Sequence, residues 1–273
     1  MNKKILTIQD ISCYGQCSIT VALPILSAWG YETAILPSAI LSTHTSGFKG
    51  FTVHDLSDEI PHIIDHWKKE GIKYDVLYSG YLGEVKHIDL VLQIKKELVN
   101  GIFVLDPVMG DNGKLYPVFN DEYVRAIKRL VKEADIIMPN ITEAALLTSL
   151  PYKEEYDKNY INALLKGLVA IGAKNVVLTG VSYEKGMTGV VIFENNEYKY
   201  YRHQKIEKSF HGTGDVFAST FIGSYLSNKD LLKASEVAAN FIVKCIQNTI
   251  DDESHQYGVK FEPLLADYIS KNK

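Results

Sequence analysis

Several features that mark well-known protein classes are missing from this 273-residue sequence. Its three cysteines are too few for a disulfide framework, so we expect reduced thiols, with Cys13 and Cys17 as small buried apolar residues. No apolar run approaches the roughly 20 residues that a membrane-spanning helix needs. The formal net charge is −4 and the basic residues are scattered, which argues against a nucleic-acid or membrane surface.

Two common phosphate-binding motifs are also absent. The sequence contains no Gly-x-x-x-x-Gly-Lys-Ser/Thr string, and Phe217 stands where a dinucleotide fingerprint would need its third glycine. The N-terminal stretch lacks the basic, apolar and small-residue order of a signal peptide. We therefore expect a cytoplasmic protein whose partners are small molecules.

Composition favours a large folded unit. Hydrophobic residues make up 46% of the chain and aromatic residues 11%, which is enough for a sizeable core. No linker, repeat or low-complexity stretch divides the sequence. We predict a single domain over residues 1–273.

Short apolar runs alternate with longer segments of helical periodicity. We predict strands at residues 4–8, 33–36, 76–79, 102–105, 136–138, 176–178, 189–193 and 199–203. We predict helices at residues 18–29, 55–69, 85–98, 121–132 and 160–171, then three C-terminal helices beginning with 216–226. Repeated strand-helix-strand units predict an α/β protein with a mostly parallel sheet covered on both faces, and the last two strands predict an antiparallel edge hairpin.

The most informative motif is Gly212-Thr213-Gly214-Asp215, directly before a helical pattern. Two glycines at a helix N-terminus leave room for an anion to approach unpaired N–H groups. An acid in an anion-binding turn repels the ligand, so its presence there needs a reason, such as removing a proton from the attacking group. The combination suggests phosphoryl transfer to an alcohol, although turn geometry and helix-dipole complementarity alone would also account for these residue types.

Polar residues follow successive predicted strands, at the sheet edge where ligands of open α/β folds bind. Acidic and amide side chains come after two of these strands, at Asp106, Asp111, Asn140 and Glu143, and Thr179 ends another. Carboxylates together with nucleotide phosphates suit Mg²⁺. Each residue alone has an ordinary explanation as a turn or helix-start residue; together with Asp215 they favour a metal and nucleotide site.

The strings at 106–111 (DPVMGD), 139–143 (PNITE) and 212–215 (GTGD) are similar to those of the ribokinase-like superfamily. Within it the chain most resembles the pyridoxal (pyridoxine/pyridoxamine) kinases over nearly its whole length, with further matches at Gln9, Ser38, His44 and the Ser-Gly-Tyr-Leu-Gly string at 79–83. The resemblance implies a ribokinase-like three-layer α/β/α sandwich. It also implies ATP-dependent phosphorylation of the 5′-hydroxymethyl group of a vitamin B6 vitamer by a homodimer.

The resemblance implies a role for each matched residue. Asp215 would be the general base, and the amides of Gly212, Thr213 and Gly214 would hold the transferring phosphoryl group. The nucleotide and Mg²⁺ site would comprise Asp106 and Glu143, holding the metal through water, with Asp111, Asn140 and Thr179. Tyr81 would pack by the pyridine ring, and Ser38 and His44 would line the vitamer pocket. Whether a monovalent cation assists stays open.

One residue departs from the family pattern. Many pyridoxal kinases have serine after Ile-Gln, where this chain has Asp10. An ionised carboxylate there would favour the protonated amine of pyridoxamine over the aldehyde of pyridoxal. The other interpretation is that Asp10 caps the segment that opens at Ser12.

Alternatives remain at the level of function. The nearest is a hydroxymethylpyrimidine kinase of thiamine synthesis, although that family commonly has cysteine after Gly-Thr-Gly. A sugar kinase would need an extra β lid, for which no room is evident between residues 29 and 55. A non-catalytic vitamer-binding protein is a third possibility, against which Asp215 and both glycines argue. The segment 110–118 is either a mobile cover over the nucleotide or a rigid turn.

Overall fold

A nine-stranded sheet runs through the computed structural model, which describes residues 3–45 and 47–273. The strands are β1 (Lys4–Ser12), β2 (Glu32–Leu41), β3 (Val53–Asp55), β4 (Tyr74–Ser79), β5 (Val99–Leu105), β6 (Gly110–Asp111), β7 (Lys114–Leu115), β8 (Ile136–Ile137), β9 (Val176–Thr179), β10 (Met187–Glu194) and β11 (Glu197–Gln204). The helices are α1 (Ile19–Ala28), α2 (Ile60–Lys69), α3 (Val85–Leu98), α4 (Asp121–Glu133), α5 (Ile141–Thr148), α6 (Lys158–Ala170), α7 (Thr213–Asn228), α8 (Leu231–Thr249) and α9 (Glu262–Ser270).

The sheet has the order β11-β10-β9-β8-β5-β4-β1-β2-β3, and β6 pairs only with β7. Every neighbouring pair from β9 to β2 is parallel, whereas β10 is antiparallel to both β9 and β11. The predicted mostly parallel sheet with an antiparallel edge hairpin is therefore confirmed. The opposite edge also ends in an antiparallel strand, because β3 pairs with β2 in that sense.

Alternating side chains on the central strands serve two separate cores. Leu77, Phe103 and Leu105 pack on one face of the sheet with helices α2 to α6. Val76 and Val104 point to the other face, where α1, α7 and α8 cover them. Successive side chains of a strand face opposite sides, so a sheet buried on both faces produces the near-continuous apolar runs seen in the sequence. The three-layer arrangement follows from this pattern.

The structure differs from the sequence prediction at the start of α2 and at the first two cysteines. The helix predicted from residue 55 begins at Ile60, because Asp55 ends β3, Leu56 N donates to Ser38 O, and the proline after Ile60 fits a first helical turn. Cys13 is exposed and Cys17 only partly buried, because they lie in the loop between β1 and α1 rather than on a packed element.

The segment 110–118 contains the short β6–β7 hairpin, which the sequence did not predict. Its two turn residues, Asn112 and Gly113, have φ of 50° and 75°, as a tight hairpin turn requires. Asn140 Nδ2 donates to Gly110 O at 2.9 Å and Gly113 N donates to Thr142 Oγ1 at 2.9 Å. The hairpin is thereby fixed to the start of α5.

Of the helices in the described residues, none has both the length and the apolar character needed to span a bilayer.

Candidate active site

The motif at 212–215 forms the first turn of α7, three residues earlier than the helix predicted from 216. Gly212 is the N-cap residue, with φ 73°, and no side chain caps this end among the residues described. A Cβ on Gly212 would lie 1.9 Å from the carbonyl oxygen of Gln16, whereas a Cβ on Gly214 would have no atom within 4 Å. Thr213 Oγ1 donates to Phe210 O at 3.2 Å. The Cβ side of Gly214 therefore borders open space next to the first turn of α7, whose N–H groups are of the kind that bind anions.

Asp215 is the partly buried carboxylate of this turn. Its Oδ2 accepts a hydrogen bond from Ser18 N at 2.9 Å. Burial raises the pKa of Asp215 to about 7, the charge of Asp10 adds to this rise, and the Ser18 N–H opposes it. A carboxylate with a pKa near neutrality is suited to accept a proton in the reaction.

Asp106 and Glu143 are nearly inaccessible to solvent, being 7% and 3% exposed. Burial raises the pKa of Asp106 well above its ordinary value, and the charges of Glu143 and Asp215 raise it further. Burial raises the pKa of Glu143 to about 8. The structure thus brings together the three carboxylates that the sequence proposed for the metal and the base.

The contacts of Glu143 come from a reciprocal capping arrangement at the start of α5. Glu143 Oε2 accepts from Asn140 N at 2.8 Å, and Asn140 Oδ1 accepts from Glu143 N at 2.9 Å. Glu143 Oε1 accepts from Met109 N at 3.2 Å. Both carboxylate oxygens are thus engaged by backbone N–H groups. Within the described residues, no cluster of three or more histidine, cysteine or acidic side chains converges to hold a metal by itself.

This donor set fits Mg²⁺ bound mainly by water and phosphate oxygens. Mg²⁺ keeps several waters and takes one or two carboxylates together with substrate phosphates. Asp106 supplies an acidic oxygen beside Glu143, while the backbone contacts of Glu143 favour an interaction through water. In the part of the chain that the structure describes, neither residue forms an ion pair with Lys or Arg that would neutralise it.

A cleft of about 750 Å³ lies beside these carboxylates. The three proposed nucleotide residues Asp111, Asn140 and Thr179 all line it. Thr179 N donates to Pro139 O at 2.9 Å, which places the end of β9 against the start of α5. Asp106 and Glu143 lie outside the lining, so the cleft contains the residues predicted for the nucleotide but not the two predicted for the metal.

Asp10 and Tyr81, both predicted to contact the vitamer, lie near one another, and Asp10 also lies near Asp215. Asp10 is 4% exposed, burial raises its pKa, and its Oδ2 accepts from Ser12 Oγ at 2.9 Å. Burial raises the pKa of Tyr81 to about 12, and the nearby charge of Asp10 contributes. β1 continues through Ser12 and α1 begins only at Ile19, so Asp10 does not begin a helix.

Ser38 and His44 are buried polar side chains with unused hydrogen-bonding capacity. Within the described residues, neither the Ser38 hydroxyl nor either ring nitrogen of His44 has a hydrogen-bond partner. Burial lowers the pKa of His44, so the ring is neutral at physiological pH. Buried polar groups rarely remain unpaired in native proteins. These atoms are suited to bind a polar ligand.

Three further residues near the site have no role predicted from the sequence. The pKa of Tyr116 is raised by burial and then by Glu143 and Asp111, so its hydroxyl lies near the acidic group. His211 packs its ring 5.4 Å from that of His44, between centroids. Gln9 Oε1 is buried without a partner in the described chain. His211 directly precedes the glycine motif and could have been noticed, but nothing in the sequence indicates where Tyr116 points.

The sheet order, the open helix N-terminus and the buried acids together define a ribokinase-like small-molecule kinase. The family model of phosphomethylpyrimidine kinase matches residues 4–260, and the chain belongs to that family. It is a phosphotransferase that acts on an alcohol group, as predicted.

The individual relatives are named for two different substrates, pyridoxal and phosphomethylpyrimidine. The chain is 29% identical over 271 residues to pyridoxal kinase from Dictyostelium discoideum, covering 91% of this chain and 87% of that protein. A Bacteroides thetaiotaomicron protein, provisionally assigned as a phosphomethylpyrimidine kinase and crystallised with pyridoxal, is 36% identical with a TM-score of 0.92, covering 98% and 96% of the chains. Pyridoxal kinase from Lactobacillus plantarum is 31% identical with a TM-score of 0.91, covering 99% and 98%.

Proposed function

We propose that this protein is an ATP-dependent kinase that phosphorylates the 5′-hydroxymethyl group of a vitamin B6 vitamer. The observation that carries the proposal is Asp215, a carboxylate with a pKa of about 7, placed in the open first turn of α7. Similarity to two pyridoxal kinases and to a protein crystallised with pyridoxal supports the choice of vitamer. We also propose that residues 1–273 form one domain, of which residues 1, 2 and 46 lie outside the described part of the chain.

In this mechanism Asp215 accepts the proton of the vitamer hydroxyl as its oxygen attacks the γ-phosphate. The amides of Gly212, Thr213 and Gly214 hold the phosphoryl group at the N-terminus of α7, where the helix dipole favours negative charge. Phosphoryl transfer leaves the protein mainly positioning and charge stabilisation to perform. The first-turn amides would stabilise the charge, Asp215 would position the hydroxyl, and the open space beside Gly214 leaves room for the phosphoryl group.

The nucleotide side contributes binding and charge neutralisation. Asp111, Asn140 and Thr179 would position the ATP phosphates in the cleft. Asp106 and Glu143 would hold Mg²⁺ through water, and the metal would supply neutralisation of the phosphate charge. Comparing K⁺ and Na⁺ salts in the activity assay tests whether a monovalent cation assists the reaction.

On the vitamer side, the ring would pack against Tyr81, with Ser38 and His44 offering their unpaired polar atoms to its substituents. Asp10 would determine which vitamer is preferred. Its buried carboxylate has no Lys or Arg partner in the described chain, so a ligand that brings a positive charge relieves the cost of burial. We therefore propose a preference for pyridoxamine over pyridoxal.

The vitamer preference is tested with Asp10→Ser, which restores the residue that many pyridoxal kinases carry. The ratio of kcat/KM for pyridoxamine to that for pyridoxal should fall by about tenfold or more, because a charge-assisted contact is worth about 1.5–3 kcal/mol. Asp10→Asn keeps the shape without the charge and should shift the ratio in the same direction. An unchanged ratio in both variants contradicts the preference.

The second candidate is hydroxymethylpyrimidine phosphorylation, which the description of the matching family favours. Both substrates present a hydroxymethyl group on a nitrogen heterocycle, so the scaffold alone does not distinguish them. A coupled ADP-release screen over pyridoxal, pyridoxine, pyridoxamine and the aminopyrimidine discriminates. Highest kcat/KM on the aminopyrimidine would overturn the vitamer proposal, and vitamer binding without ADP release would indicate a non-catalytic binding protein.

The homodimer remains a proposal that rests on the resemblance to pyridoxal kinases. Sedimentation equilibrium at micromolar concentration tests it. A mass of about twice the monomer's 30.6 kDa is expected, and a monomer at every concentration contradicts it.

A further inference from the structure

The loop between α5 and α6 contacts both walls of the nucleotide cleft. This loop, residues 149–157, begins after Thr148 and ends where Asp157 caps α6. Two of its side chains, Tyr152 and Tyr156, line the cleft. They reach opposite walls, one formed by the β6–β7 hairpin and the other by the turn after β9.

Tyr156 holds the turn after β9 through one hydroxyl group. Its Oη accepts from Ser182 N at 2.9 Å and donates to Gly180 O at 3.4 Å. A single side chain thus contacts both ends of the three-residue turn 180–182. The turn directly follows Thr179, and a Cβ on Gly180 would meet no atom within 4 Å, so its backbone borders open space in the cleft.

Tyr152 holds the other wall through its ring. A Cβ added to Gly113 would lie 2.5 Å from Tyr152 Cδ1, so the ring packs closely on the backbone at the tip of the β6–β7 hairpin. Gly113 has φ 75°, which suits glycine, and its N–H is already bound to Thr142 Oγ1. The hairpin tip is therefore fixed from below by α5 and from outside by the tyrosine.

We propose that Tyr152 and Tyr156 form a clamp that sets the width of the nucleotide cleft, with Tyr156 as a positioning residue for nucleotide binding. The clamp acts through the two walls and needs no contact with the transferred phosphoryl group. It is a property of this loop rather than of the residues assigned to catalysis. The inference rests on the proposed function for the identity of the nucleotide.

The clamp predicts a specific kinetic pattern for Tyr156→Phe. Loss of the hydroxyl frees the turn 180–182 while leaving Asp215 and the vitamer pocket intact. We expect KM for ATP and Kd for Mg·ADP to rise about fivefold, mainly through loss of the 2.9 Å hydrogen bond from Ser182 N, because the 3.4 Å contact with Gly180 O is weak. The values of kcat and of KM for the vitamer should change less than about twofold.

Tyr201→Phe is the matched control. Tyr201 Oη donates to Asn240 Oδ1 at 2.8 Å between β11 and α8, so this variant loses a comparable hydrogen bond outside the cleft. It should lower Tm about as much as Tyr156→Phe does, with unchanged nucleotide affinity. Tyr152→Ala, which releases the hairpin wall instead, should also weaken Mg·ADP binding.

Isothermal titration of Mg·ADP into each protein, without vitamer, tests the clamp. Equal affinity of the Tyr156→Phe and Tyr201→Phe variants, or unchanged affinity of Tyr152→Ala, overturns the clamp. A different result contradicts the proposed function: a wild-type protein that binds Mg·ADP but phosphorylates no vitamer in the ADP-release screen. Because binding is measured without turnover, either result can occur without the other.

Discussion

Replacing each glycine of the 212–214 turn by alanine should separate stability from catalysis, because the two positions differ in backbone angle and in surrounding space. Gly212 has φ 73°, and a Cβ there would lie 1.9 Å from the carbonyl oxygen of Gln16. A left-handed conformation costs a non-glycine residue about 1–2 kcal/mol, and the clash adds to this. One kcal/mol lowers Tm by about 2–4 °C in a chain of comparable size, so Gly212→Ala should lower Tm by about 4 °C or more.

Gly214→Ala should preserve stability and impair catalysis. The position lies inside α7 and a Cβ there meets no atom within 4 Å, so alanine gains helix propensity of up to about 1 kcal/mol without a clash. Its methyl group would stand in the space that the transferring phosphoryl group is proposed to occupy. We expect Tm to be unchanged or higher while kcat falls by about tenfold or more, the loss typical of weakened transition-state donors.

Thermal unfolding and ADP release at saturating Mg·ATP and vitamer measure the two effects. A Gly214→Ala enzyme with wild-type kcat would show that the amides beside this residue do not receive the phosphoryl group. A Gly212→Ala protein with wild-type Tm would contradict the strain argument.

The remaining predictions concern the carboxylates. Asp215→Asn should lower kcat by about 10²-fold or more with nearly unchanged vitamer and ATP binding, as loss of a general base does, measured by steady-state kinetics and titration. Because the pKa of Asp215 is about 7 and the base form is required, kcat/KM for the vitamer should rise with pH through that value and then level off; a flat profile across it contradicts the assignment. The pKa of Asp106 in the folded protein lies well above its unfolded value of 3.8, so the ligand-free fold favours the protonated carboxyl. The folded protein therefore loses stability as pH rises from 3.8 toward the folded pKa. Asp106→Asn should therefore raise the ligand-free Tm by about 2–5 °C at about pH 8, with a smaller gain at about pH 5, and weaken Mg·ATP binding; a lower Tm at both pH values would contradict this.

Much of the fold could be predicted from the sequence because it depends on local patterns. The central strands appear as apolar runs, since Leu77 and Phe103 serve one core and Val76 and Val104 the other. β3 was missed because its three residues form a strand only by pairing with residues 39–41 of β2. A pattern of three residues carries no periodicity, and the last of them, Asp55, was assigned to the following helix.

The site was predictable where residues follow strand ends and less so elsewhere. The sequence placed Asp106, Glu143 and Asp215 at one edge, and the structure brings them close enough that the charges of Glu143 and Asp215 add to the raised pKa of buried Asp106. It gave no indication that Tyr156 would bind the turn at Ser182, which lies 26 positions away. Contacts of this kind depend on how loops cross the sheet edge, and no periodic pattern encodes them.

The distribution of charge gives a physical reason for keeping this edge acidic. Asp10, Asp106, Glu143 and Asp215 all have raised pKa values, and none is paired with Lys or Arg in the described chain. Burying such groups without partners costs stability, which a purely structural role would not require. Under the proposed function, the Mg²⁺ that accompanies the nucleotide and the amine of a cationic vitamer would bring the missing positive charge to these carboxylates. The stability lost in the ligand-free protein would then be recovered as binding energy, since whatever binds only the folded state stabilises it.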